Sequence, residues 1–258
     1  MSARVHWAMS LLRLMAVGSG LVTLGSCNSI AIPIRPDGYP YTLIASDVVA
    51  TTDTIDGIIY TAGDTVTDTI DFKWPPSALP VRIWVEDTIG LQGHMATAIG
   101  LWKHILIYGE FDAVLTDDST HADIIVRDLP PPGPVAPFGA ERLTASSLAC
   151  DGATDILVSR PDHRRLWTPT RIYIEPKYLL SDTATVNCLA RVSAHELGHA
   201  LGLFVHSPNP TDLMNAQPSV DVPSEVDAAT VEWLYHQPTK LRPVPATDSL
   251  TAAPQAAP

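Results

Sequence analysis

The chain is short of positive charge, of cysteine and of any long apolar run. Lysine and arginine number 16 against 28 aspartates and glutamates, a formal net charge of −12. A surface so acidic repels phosphate backbones, which excludes nucleic acid as a partner class. The longest apolar stretch, Leu14 to Leu24 with small residues interspersed, is too short for a good membrane span. Three cysteines occur, Cys27, Cys150 and Cys188, and none lies between residues 28 and 149. What remains is ample for a fold: 258 residues with 46% hydrophobic composition fill one domain of moderate size with a real core.

The amino terminus reads as an export signal. A basic start at Arg4, a second arginine at 13, the apolar run and the small residues of Leu24-Gly25-Ser26-Cys27 follow in that order. The end of this segment resembles a bacterial lipobox, in which the cysteine carries lipid and becomes the first mature residue. The resemblance implies that residues 1–26 are a signal peptide, that Cys27 is lipidated, and that a lipid anchor holds an exported protein to a membrane. The expected location is the bacterial cell envelope or the extracellular space. Removing Arg4 and Arg13 from the 16 basic residues leaves 14 against 28 acids, a formal −14. An even pair of cysteines then remains in an oxidising compartment, where a Cys150–Cys188 disulfide is expected.

The chemistry gathers in His195-Glu196-Leu197-Gly198-His199-Ala200-Leu201-Gly202-Leu203-Phe204-Val205-His206. Histidines at i and i+4 of a helix project from one face, a spacing that lets two imidazoles hold one zinc ion. Glu196 is offset by about 100° and reaches water at the metal without binding the metal itself. Val186, Leu189, Ala190, Ser193, Leu197, Ala200, Leu201 and Phe204 recur at spacings of three and four and predict a core-facing stripe. The two histidines fall on the other side of the wheel, which predicts imidazoles presented to a cleft. Gly202 can end the helix in a left-handed conformation and turn the chain so that His206 returns to the metal. Cys188 is seven residues before His195, roughly 10 Å along a helix axis, too far to share that metal.

This run, followed by His206-Ser207 and Leu213-Met214, resembles the metzincin metalloproteases, most closely the matrixins. The resemblance implies zinc held by His195, His199 and His206, Glu196 as general base, and Met214 in a turn beneath the metal. It implies an α+β zinc-protease domain: a twisted, mostly parallel sheet, two long helices including the active-site helix, and a C-terminal helix. It also implies hydrolysis of peptide bonds in a protein or peptide substrate. The spacing departs from the family in one place. Three residues, Leu203, Phe204 and Val205, separate Gly202 from His206, where the family has two. Either the loop bulges and His206 still ligates, or the third ligand lies elsewhere, at Asp212 or at an acid such as Glu225 or Glu232. The acidic option corresponds to a gluzincin-like peptidase. A zinc-binding lipoprotein without catalysis is the third reading, which Glu196 disfavours. Latency through a cysteine that caps the zinc, typical of matrixins, has no cysteine to use; Asp37 is a weak substitute.

Elsewhere the pattern is coarser. Residues 27–77 read as a linker or pro-like segment with a hairpin centred on Asp56-Gly57. Pro75-Pro76 marks a boundary, and the catalytic domain is expected over residues 78–238. Strands are expected at 81–85, 122–126, 155–159 and 171–175, a core-facing helix through Met95, Ala98, Ile99, Trp102, Ile105 and Leu106, and a loop at Pro130–Pro134. Ser224 caps a final helix. Residues 239–258 are expected to be a disordered tail. Calcium has only Asp117, Asp118, Asp151 and Asp155 to offer, and acidic loop residues are more often solvated. The six other histidines have no ligand spacing.

Overall fold

The structure is a computed structural model. It describes residues 41–86, 88, 90–130, 140–147, 151–175 and 182–246. Cys27, Asp37, Cys150 and the expected signal peptide lie outside the described residues. Residues 33–258 form one compact unit.

The first strands are β1 (Leu43–Val48), β2 (Asp53–Ile55), β3 (Ile58–Tyr60) and β4 (Thr65–Ile70). β1 and β4 pair antiparallel, from Leu43 opposite Ile70 to Val48 opposite Thr65. The expected hairpin is β2–β3. Its turn residues Asp56 and Gly57 have φ of 52° and 80°, the left-handed pair that matches strand twist in a two-residue turn.

The main sheet takes β5 (Val81–Val85), β6 (Ala113–Thr116), β7 (Ile124–Arg127), β8 (Ala140–Ser147), β9 (Asp151–Ser159), β10 (Arg165–Glu175) and β11 (Arg242–Pro245). Its order is β6-β5-β7-β10-β9-β8, with β11 also paired to β10. Neighbours from β6 to β10, and β11, run parallel; β9 and β8 run antiparallel. The β10–β9 register shifts between Trp167 and Arg171, a span containing Pro169, which has no N–H for the ladder. Three α-helices occur among the described residues: α1 (Leu91–Ile105), α2 (Asp182–Ala200) and α3 (Glu225–Tyr235). The architecture is thus α+β with a mostly parallel mixed sheet, as the sequence leads one to expect. No helix among the described residues is long and apolar enough to cross a membrane.

Two expected boundaries differ in the structure. Tyr41, Ala45, Ile70, Phe72 and Trp74 belong to the same core cluster as the sheet and helices, so residues 41–77 are not a linker in packing terms. Their apolar residues are sparse but large, and composition alone hides them. Arg242–Pro245, inside the expected disordered tail, form β11. Prolines are tolerated there because β11 pairs with β10 alone.

α1 packs against α2, the histidine helix, and two tryptophans hold its backbone. Trp102 Nε1 donates to the Ala194 carbonyl at 2.9 Å, and Trp74 Nε1 donates to the Ala200 carbonyl at 3.0 Å, both buried. The second bond ties the amino-terminal segment to the last turn of α2. That turn closes as the sequence predicts. Gly202 sits at φ 110°, its N–H reaches the His199 carbonyl at 3.0 Å, and the Leu203 N–H reaches the Gly198 carbonyl at 3.1 Å. This is the paired bonding of a glycine helix stop. A Cβ on Gly202 would lie 2.0 Å from the Phe72 carbonyl oxygen. Gly202→Ala is therefore expected to cost at least about 3 kcal/mol of stability, from left-handed strain plus the clash. Urea unfolding of the metal-free protein checks this; a loss under about 1 kcal/mol would contradict it.

Candidate metal centre

α2 carries His195, Glu196 and His199, and all three are fully buried. The sequence predicts one buried stripe and one open face. Leu189, Leu197, Ala200 and Leu201 do fill the core, but the histidine face is buried as well: the segment after Gly202 supplies carbonyl partners to both rings, and β9 packs against the adjoining Val192 and Glu196. Within the histidine cluster, only His206 remains partly exposed.

Each imidazole of α2 is oriented by a backbone carbonyl. His195 Nδ1 lies 2.7 Å from the Leu213 oxygen, and His199 Nδ1 lies 2.6 Å from the Leu203 oxygen. A carbonyl only accepts, so each Nδ1 carries the hydrogen and each Nε2 keeps its lone pair. The two Nε2 atoms are 3.0 Å apart, and His206 Nε2 is 3.3 Å from that of His199. One ligand atom from each of the three histidines falls within 4.8 Å of the others. Lone pairs at that separation repel, and a shared cation removes the repulsion. Two nitrogens bound about 2.1 Å from a tetrahedral ion lie about 3.4 Å apart, close to the spacing seen. Imidazole donors suit zinc, copper, iron or nickel, and do not suit magnesium or calcium.

The surroundings keep these rings neutral. Burial pushes His195 down to about 4 from its ordinary 6.5, with proximity of His206 acting in the same direction. His199 is held well below its usual value, by burial first and then by the other two imidazoles. Burial also lowers His206. Neutral imidazole is the form that binds metal, so the centre is ready for an ion at neutral pH. Glu196 moves the other way: burial raises its carboxyl to about 8, against a hydrogen bond from Thr154. Its Oε1 has no hydrogen-bond partner among the described residues.

No protein-family model matches this chain, and no curated protein matches it. The site therefore stands on its own geometry: three convergent imidazoles on a mixed sheet-and-helix fold, compatible with a zinc protease.

The extra residue before His206 is absorbed by packing. Leu203 and Phe204 are buried, the Phe204 N–H donates to the Tyr41 carbonyl at 3.2 Å, and the chain returns with His206 facing His199. The other candidate ligands are elsewhere. Asp212 is buried but accepts hydrogen bonds from the Ser207 and Ser224 hydroxyls. Glu225 is exposed, Glu232 is half-buried, and neither joins the cluster. Among the described residues no acidic group forms a cluster suited to calcium; Asp118 instead caps Thr120 and contacts His121. His163 is buried with its Nε2 3.2 Å from Asp47, a structural placement. Cys188 is disulfide-bonded, and both other cysteines of the chain lie outside the described residues.

Met214, expected in a turn beneath the metal, packs against α2 at Gly198. A Cβ on Gly198 would meet its sulfur at 2.4 Å, so the absent side chain of Gly198 makes room for Met214. Sequence reasoning missed the anchor of this turn. Asp227 of α3 accepts the Leu213 N–H at 2.7 Å and the Met214 N–H at 3.3 Å. The same carboxylate accepts the Ser224 N–H, completing a capping box. The motif Ser224-x-x-Asp227 was visible as a helix start, but nothing in it signals the second duty. Thr154, which donates to Glu196, carried no sequence signal at all.

His206→Ala is expected to weaken zinc binding by at least about tenfold, the low end for losing a metal-site group. Asp212→Asn, Glu225→Ala and Glu232→Ala are expected to leave affinity near wild type. Competition titration with a chelating dye separates these outcomes. Normal affinity in His206→Ala, with loss in one acidic variant, would transfer the third ligand to that acid.

Proposed function

We propose that the chain is a zinc-dependent endopeptidase of metzincin type, closest to the matrixins. The observation that carries the reading is one constellation: three imidazoles whose ligand atoms lie within 4.8 Å of one another, with a buried glutamate next to His195 in the chain whose Oε1 has no hydrogen-bond partner among the described residues. A purely structural metal site has no use for a carboxylate in that position.

Zinc held there would supply a Lewis acid for a peptide carbonyl and lower the pKa of a water to about 7. The chain's own share is orientation and proton handling. The Leu213 and Leu203 carbonyls fix the tautomer of His195 and His199, a device that also raises ligand basicity. Glu196 takes a proton from the attacking water and returns it to the leaving amine. Burial raises its carboxyl, and a cation held by the neighbouring imidazoles would lower it again toward the ionised form that accepts a proton. The residues after Met214 are Asn215 and Ala216, so no tyrosine follows to assist the oxyanion; the Asn215 amide is engaged with the Ser207 carbonyl at 2.6 Å.

The wider reading is a secreted, membrane-tethered enzyme. Residues 1–26 are its signal peptide, Cys27 its lipid anchor, and Cys150–Cys188 its disulfide. Proteins or peptides are its substrates, and nucleic acid is not a partner.

Glu196→Ala is expected to retain near-stoichiometric zinc and to lose peptidase activity by at least about a hundredfold, the lower range for a general base. The assay is cleavage of a mixed peptide library by zinc-loaded protein, with zinc quantified in parallel. Undiminished cleavage by the variant, or no cleavage by the wild type, would contradict the reading.

A further inference from the structure

We propose that Thr154 is a positioning residue that decides which oxygen of Glu196 handles the proton. The inference rests on the endopeptidase reading and goes beyond its residue set.

Thr154 is on β9, fully buried, with its hydroxyl directed at α2. The Oγ1 lies 2.8 Å from Glu196 Oε2 and 2.9 Å from the Glu196 backbone oxygen. A hydroxyl has one proton to give. An ionised carboxylate is the stronger acceptor of the two, so the bond to Oε2 prevails when Glu196 is charged. Oε2 is thereby occupied.

Oε1 is in the opposite situation. It is buried and has no hydrogen-bond partner among the described residues. Gly152, two residues before Thr154 and so on the same face of β9, stands beside it. A Cβ there would come within 2.6 Å of Oε1 and 2.5 Å of Val192 Cγ1. The strand therefore treats the two oxygens differently, with a donor against one and bare backbone against the other. A carboxylate able to rotate freely would present either oxygen. Held by Thr154, it presents Oε1, the oxygen left free for a water proton.

The Thr154 hydroxyl bonds to Glu196 and, among the described residues, to none of the three imidazoles. Its effect passes through Glu196, which gives a signature that a packing role lacks. Thr154→Val keeps the branched shape and removes only the hydroxyl. With zinc stoichiometry and KM unchanged, kcat is expected to fall about tenfold to a hundredfold, the usual cost of a misplaced catalytic group. Thr154→Ser is expected to recover most of that loss. In a Glu196→Ala background, Thr154→Val is expected to change the residual rate by no more than about twofold, because the group it orients is gone. Loss of kcat in the serine variant equal to that in the valine variant would overturn the proposal. So would an undiminished drop in the Glu196→Ala background. If zinc-loaded wild type cleaves no peptide, the endopeptidase reading fails by itself, and the Thr154–Glu196 bond is read from thermal unfolding of the metal-free protein. There Thr154→Val is expected to lower Tm less in the Glu196→Ala background than in wild type; equal shifts would overturn the proposal.

Discussion

Two buried imidazole nitrogens, each with an unshared lone pair, face each other in the protein interior, and a third, from the partly exposed His206, joins them. His195 and His199 present Nε2 atoms 3.0 Å apart with no solvent exposure. Unmet buried acceptors of this kind cost about 1–3 kcal/mol apiece, and the hydrogens on Nδ1 are already committed to carbonyls. A cation relieves the arrangement, and the rest of the structure serves to hold it. Binding an ion there also stabilises the fold by mass action, since the unfolded chain has no comparable site.

The holding is distributed across the chain. Trp102 from α1 and Trp74 from the amino-terminal segment grip the α2 backbone at Ala194 and Ala200. The helix stop at Gly202 delivers the Leu203 carbonyl to His199. Asp227 fixes the Leu213 and Met214 amides, and the Leu213 carbonyl in turn orients His195. Thus a carboxylate on α3 acts on a metal-site imidazole through one peptide unit. Burial raises the Asp227 carboxyl, and its backbone donors work against that rise. The orienting carbonyls sit on anchored residues, Leu213 through Asp227 and Leu203 through the Gly198 carbonyl.

Much of the centre was legible because its information is local. Helical spacing places His195 and His199 together, Gly202 supplies a left-handed stop, and Ser224 caps α3; each depends on neighbours within a few residues. Strands β5, β7, β9 and β10 were legible for the same reason, through apolar runs. What stayed hidden depends on distant contacts. Phe72 and Trp74 look like part of a polar linker until the core of α2 closes over them. β11 resembles a proline-rich tail until β10 offers it an edge. Thr154 meets Glu196 across 42 positions of sequence, and no period or composition marks such a pair. Exposure of the histidines was misjudged because a helical wheel counts only the residues of α2, not the strand and loop that cover it.

X-ray absorption at the metal edge of zinc-loaded protein tests the central claim most directly. Three imidazole nitrogens and one further light atom are expected, at about 2.0–2.1 Å, with one nitrogen scatterer lost in His206→Ala. Two imidazoles with a protein carboxylate, or no ordered zinc at all, would contradict it.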